Sequence, residues 1–248
     1  MAGHSKWSKI KRGKAVTDSR RSQVWARKTR DIMIAAREGG GDPGMNARLA
    51  LCIEKAKATN MPKDNIERAI KRGTGEIAGA DYLEMTYEGF GPHGIAIFVE
   101  ALTDNTNRTV ADVRHLFGKH GGSLGQNGTV AFQFDRKAIF DIPLEGNDEM
   151  ELFELVVEAG AEDLTQEDDS FIVTAGVESF GSVQTALEAA DVTITEGNLQ
   201  RIPNTTTSLD SESAQAVGKL LNLLEDLQDV QAVYSTLEMD DATIEALS

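Results

Sequence analysis

AIFDI (138–142), DEMELFELVVEA (148–159), EDLTQ (162–166), SFIVT (170–174), SFGSVQTALEAA (179–190) and VTITEGNLQRI (192–202) are the pieces whose order decides the fold. The first, third, fourth and sixth have strand composition, and the second and fifth have helical spacing. The order β-α-β-β-α-β is the ferredoxin-like plan.

Working outward on the N-terminal side, residues 82–88 and 95–102 read as strands joined by Gly89-Phe-Gly-Pro-His-Gly94. Residues 107–120 read as a helix burying Val110, Val113 and Phe117, and 129–134 as a further strand after a Gly-rich loop. On the C-terminal side, 205–209 reads as a strand. Residues 211–227 read as a helix with a stripe of Val217, Leu220, Leu221, Leu224 and Leu227, and 230–237 as the last strand. The first flank is ββαβ and the second βαβ, so neither completes a two-layer sandwich alone. Together they predict one discontinuous α/β domain, 81–134 plus 204–248, with 135–203 inserted in it.

Residues 1–80 form the remaining domain. Met1 to Thr17 lacks periodicity and reads as an extended arm. A helix from Asp18 or Ser19 to about Glu38 carries Trp25, Thr29, Ile32 and Ala36 on one stripe, with Arg20, Arg27 and Arg30 expected to point away from it. Gly39 to Gly44 stops it. A second helix buries Leu49, Ile53 and Ala56. A third, after Met61-Pro62, buries Ile66, Ala69 and Ile70 and ends at Gly73, read as a left-handed cap. The expected class is α+β multidomain: an N-terminal three-helix domain plus two α/β sandwich domains, one ferredoxin-like and inserted in the other.

Charge is segregated along this architecture. Residues 1–80 hold 18 Lys and Arg against 8 Asp and Glu, whereas 81–248 hold 7 against 32. A positive field held against an acidic body favours polyanions at one end, and phosphate backbones are the commonest of these. Lys6, Lys9, Lys11, Arg12, Lys14, Arg20, Arg27, Lys28 and Arg30 are the candidate phosphate contacts, with Lys63, Arg68, Lys71 and Arg72 as a second patch. Trp7, among lysines, is free to stack on an unpaired base. The bland alternative is a solvated basic tail. Residues 46–59 and 63–72 resemble a helix-turn-helix, and a plain helical hairpin gives the same pattern.

Catalytic signals are absent. Gly89-x-Gly91-x-x-Gly94 matches a dinucleotide-binding expression, but the next residues form a strand, where that motif needs a helix N-terminus. The loop 118–128 lacks a Gly-Lys-Ser/Thr ending. The four histidines are scattered, no Cys-x-x-Cys or His-Glu-x-x-His occurs, and no metal or other cofactor is expected. Cys52, the single cysteine, suits a reducing compartment and a buried apolar role. The longest apolar run, 95–99, is too short to cross a bilayer, so no membrane partner is expected. The N-terminal composition overlaps with that of mitochondrial presequences.

Several motifs resemble the YebC/PmpR family. They are Met-Ala-Gly-His-Ser-Lys-Trp-Ser-Lys-Ile-Lys at 1–11, Gly-Gly-Gly-Asp-Pro at 39–43 and Asn-Met-Pro-Lys-Asp-Asn-Ile-Glu-Arg-Ala-Ile-Lys-Arg-Gly at 60–73. Tyr-Glu-Gly-Phe-Gly-Pro-His-Gly at 87–94, Ala-Leu-Thr-Asp-Asn-Thr-Asn-Arg-Thr at 101–109, Gly-Gly-Ser-Leu-Gly at 121–125 and Leu-Glu-Asp-Leu-Gln-Asp-Val-Gln-Ala-Val-Tyr at 224–234 match as well. The resemblance implies a helical domain followed by two α/β domains, the last inserted in the second, and no catalytic residue. It implies a cytoplasmic bacterial protein, because mitochondrial relatives carry an added presequence ahead of the motif. Members are described as DNA-binding transcriptional regulators, mitochondrial relatives are translational activators, and some bacterial members resemble ribosome-associated factors. Composition and resemblance together point to a non-enzymatic regulator of gene expression. Its expected partner is ribosomal or transfer RNA, with the ribosome behind it, because a body this acidic is repelled by a long duplex. Duplex DNA is the second expectation, and a protein-interaction module acting through the acidic domains the third.

Overall fold

The computed structural model describes residues 18–78, 82–167 and 169–247, with side chains from Val24 onward in the first stretch. Expectations for the arm (Lys6, Trp7, Lys9, Lys11, Arg12, Lys14) and for the side chain of Arg20 lie outside the described residues.

Three helices open the described chain: α1 (Asp18–Gly39), α2 (Ala47–Ala58) and α3 (Lys63–Gly73). Both α2 and α3 pack chiefly on α1 and only lightly on each other. Ile32, Met33, Ala35 and Ala36 of α1 meet Leu49 and Ala56 of α2 and Ile66 and Ala69 of α3 in one core. Asn46 locks the first corner. Its Oδ1 accepts from Leu49 N at 3.0 Å, capping α2, while its Nδ2 donates to Ala35 O at 2.8 Å and Gly40 O at 2.9 Å. The Trp25 indole closes the second corner by donating to Thr59 O at 3.1 Å.

Gly73 is not a left-handed cap. Positive φ falls on Gly75 (82°), and a Cβ at Gly73 would lie 2.8 Å from Ala36 Cβ and collide with Met33 O. Glycine at 73 lets α3 approach the backbone of α1, and the sharp turn comes two residues later.

The discontinuous domain follows as β1 (Leu83–Phe90), β2 (Ala96–Thr103), α4 (Thr106–Lys119) and β3 (Ser123–Leu124). It resumes after the insert with α7 (Ser211–Asp226), β8 (Val230–Ser235) and α8 (Asp241–Leu247). Its sheet order is β3-β1-β2-β8, antiparallel throughout. Ile97, Val99 and Val233 from the strands and Val113, Phe117, Val217, Leu220 and Leu224 from α4 and α7 form its core.

Two strand expectations are corrected. Residues 129–134 alternate like a strand, yet only Phe134 joins one, and Ala131–Gln133 is a single 3-10 turn. The buried Glu88 carboxylate explains this: it accepts from Gly128 N (2.7 Å), Val130 N (2.8 Å) and Ala131 N (2.8 Å), so those amides are withdrawn from any ladder. The fourth strand is instead the short β3. Residues 205–209 form only one parallel bridge, Thr207 to Leu237.

The insert, Phe132–Thr205, is a separate compact unit. It runs β4 (Phe134–Pro143), α5 (Glu149–Glu158), β5 (Ala161–Glu167), β6 (Ser170–Gly176), α6 (Phe180–Ala189) and β7 (Glu196–Pro203). The order β5-β6-β4-β7, antiparallel at every pairing, is that of a ferredoxin-like sheet. Leu152, Val156, Val183 and Leu187 of its helices pack with Phe140, Ile142 and Val173. The turn at Pro92–Gly94 leads directly into β2, so the glycines at 89, 91 and 94 belong to a β-hairpin.

Candidate nucleic-acid interface

Helix α3 presents its cations because its other face is spent on the core. Ile66 and Ala69 are buried, which turns Lys63, Arg68, Lys71 and Arg72 outward, all four exposed. Arg68, Lys71 and Arg72 follow i, i+3, i+4 spacing and share one face. Lys63 is partnered by Glu67 at 3.6 Å. Arg68, Lys71 and Arg72 have no side-chain ion-pair partner among the described residues. Lys57, exposed in the last turn of α2, is a fourth such cation that the sequence reading passed over.

Two expected contacts are placed elsewhere. Arg30 is only 3% exposed, and its guanidinium donates to Asp229 Oδ1 at 3.1 Å and to the carbonyl of Gln228. Arg27 donates to the carbonyl of Glu225 at the C-terminal end of α7, where a cation complements the helix dipole. Both arginines point away from the Trp25–Ala36 stripe, as their azimuth requires, but that side of α1 meets the α/β domain and not water. They are fastenings. Lys28 is half-buried and lies 3.9 Å from Asp31.

Asp229 gathers two of the sequence motifs into one polar knot. Besides Arg30, it accepts from Arg108 Nη2 (2.6 Å), Arg108 Nε (3.2 Å), Thr109 Oγ1 (2.8 Å) and Thr103 Oγ1 (3.1 Å). Burial alone would raise the carboxyl pKa. The hydrogen bonds from Arg108, Thr109 and Thr103, with the Arg108 charge, hold it below the ordinary aspartate value. Residues 101–109 and 224–234 therefore meet as structural cement. The paired acidic residue was not legible, because 32 carboxylates follow residue 80 and nothing local marks this one.

Beside Lys28, Lys55 is pulled down to about 8, first by burial and then by the Lys28 charge. Burial pushes the Cys52 thiol up, with Asp31 adding to it, which disfavours a thiolate nucleophile. Among the described residues, no group of three His, Cys, Asp or Glu side chains is placed to hold a metal, and no helix is long and apolar enough to cross a membrane.

Comparison with known proteins covers nearly the whole chain. Residues 5–76 match the model of the TACO1/YebC protein N-terminal domain, and residues 82–237 match that of the TACO1/YebC second and third domain. A protein of Persephonella marina is 49% identical across 100% of both chains. One from Salinibacter ruber is 49% identical over 97% of this chain and 94% of its own. Both are named probable transcriptional regulatory proteins. The crystal structure of a conserved hypothetical protein from Aquifex aeolicus superposes with a TM-score of 0.82 at 43% identity, covering 90% of this chain and 93% of that one. With both family models matched along its length and relatives near half identity, the chain belongs to the TACO1/YebC family.

Proposed function

We propose that this protein is a non-enzymatic regulator of gene expression that binds nucleic acid through its N-terminal helical domain, acting in the cytoplasm as a translation factor on ribosomal or transfer RNA. The observation that carries the reading is the exposed trio Arg68, Lys71 and Arg72 on α3, without an ion-pair partner among the described residues, in a segment whose net charge is opposite to that of the rest of the chain. Lys63 stands on the same helix, Lys57 and Lys28 add positive charge to the same domain, and Lys6, Trp7, Lys9, Lys11, Arg12, Lys14 and Arg20 would lengthen the grip along a backbone. Contacts from such cations to phosphates position a nucleic acid without reading its bases. A net charge near −25 beyond residue 80 disfavours a long duplex alongside the molecule.

A second reading, a DNA-binding transcriptional regulator, is favoured by the names of the relatives. Crosslinking in living cells followed by sequencing of the attached nucleic acid separates the two. Ribosomal or transfer RNA is expected from the wild type, with loss of signal in the Arg68→Glu, Lys71→Glu, Arg72→Glu variant. Recovery of specific promoter duplexes without ribosomal RNA would overturn the translation reading in favour of transcriptional control. Intact function after reversing Lys9, Lys11 and Arg12 would favour a protein-interaction module.

A further inference from the structure

Helix α5 of the inserted unit has a second, unused apolar row. Leu152 and Val156 enter the core, but Met150, Phe153 and Val157 are 74%, 47% and 43% exposed. Their i, i+3, i+7 spacing sets them in one line along the helix. Glu151, Glu154 and Glu158 repeat the same spacing one residue later, so a line of exposed carboxylates runs parallel to the apolar line. None of the three carboxylates has an ion-pair partner among the described residues. Exposed apolar side chains that are contiguous, and not scattered, mark interaction surfaces.

We propose that this double row is a docking face for a basic amphipathic helix of a partner protein. The partner's apolar side chains would cover Met150, Phe153 and Val157, while its Lys or Arg residues lie against Glu151, Glu154 and Glu158. Charge selects this occupant. Residues 132–205 contain 17 Asp and Glu against 3 Lys and Arg, a composition that repels RNA and anionic membrane surfaces. A second copy docked through the same face would bring two carboxylate rows together, a like-charge cost that a basic partner converts to attraction. An apolar line at i, i+3 and i+7 is the kind of seam along which one amphipathic helix pairs with another. The face stands on α5 and does not depend on phosphate binding by α3.

The test uses the full isotope-labelled chain and three synthetic helical peptides of equal length. One has a leucine face flanked by lysines, one a leucine face flanked by glutamates, and one an alanine face flanked by lysines. Amide shifts on adding the leucine/lysine peptide are expected to centre on residues 149–158, with at least tenfold weaker binding of the other two. Phe153→Ser, which leaves Leu152 and Val156 in the core, should weaken the leucine/lysine peptide at least tenfold with an unchanged melting temperature. The Glu151→Lys, Glu154→Lys, Glu158→Lys variant should invert the preference toward the glutamate-flanked peptide. Equal binding of the alanine-faced peptide, or indifference to Phe153→Ser, would overturn the proposal and leave only diffuse charge attraction. Concentration-dependent dimerisation abolished by Phe153→Ser would overturn it in favour of a second copy, and binding to anionic vesicles through the same residues in favour of a membrane.

Discussion

Asp229 accepts from two arginines and two threonines, and Arg30 is buried with it, so truncating the carboxylate would leave a guanidinium charge in the interior. Breaking such a pair from one side costs about 3–5 kcal/mol, and Asp229→Ala is expected to lose that much in urea unfolding. Arg108 is nearly half-exposed, so Arg108→Ala should cost markedly less. The pH dependence follows from the depressed carboxyl pKa. Its stabilisation is fully present above the unfolded value of about 3.9 and is lost as pH falls through the lower folded value. Asp229→Asn should therefore flatten the acid limb of a stability-against-pH curve, and an unchanged limb would contradict the assignment. Lys55 has the opposite sign. Its pKa near 8 lies below the unfolded value, so the folded state penalises its charge, and wild-type stability should rise as pH climbs from about 8 to about 10.5. Lys55→Met should be more stable than wild type at pH 7, and that gain should vanish above about pH 10.5.

At the scale of elements, α3 depends on a residue with no side chain. Gly73→Ala would drive a methyl group into the Met33 carbonyl and against Ala36. Overpacking of this sort costs about 1–3 kcal/mol. The expected result is a lower melting temperature together with faster hydrogen exchange in residues 63–73 than elsewhere, whereas Gly75→Ala would act through its positive φ alone. The helices and most strands were legible because their periods are local properties of the chain. The inward turn of Arg27 and Arg30 was not, since a single stripe through Trp25, Thr29, Ile32 and Ala36 assumes that every other face of α1 meets water. The continuous apolar run Ile32 to Ala36 carried the missing signal: Ile34 is buried too, outside the core that Ile32, Met33, Ala35 and Ala36 share with α2 and α3, which requires a second covering surface. The false strand at 129–134 arose in the same way, because a period of two cannot register that a distant glutamate, Glu88, has taken the backbone amides. Residues 63–72 of the candidate interface were legible as a cationic row, because burial of Ile66 and Ala69 leaves no other direction for it.

Over the whole molecule, the division of charge predicts how binding responds to salt. If α3 meets phosphates, each neutralised contact releases a counterion, and the slope of log affinity against log salt measures their number. Converting Arg68, Lys71 and Arg72 to alanine should reduce the slope's magnitude by about 2 on single-stranded RNA, at about 0.7 per phosphate. The weakening should be similar across unrelated sequences, because phosphate contacts carry no base information. Arg27→Ala and Arg30→Ala provide the internal control. Their guanidinium groups are committed to Glu225, Gln228 and Asp229, so neither should flatten the slope, although both should lower stability. A slope unmoved by the α3 triple variant, or flattened as much by Arg30→Ala, would mean that the phosphates lie elsewhere. In the second case the side of α1 that holds Arg30 would have to open from Asp229 whenever nucleic acid is bound.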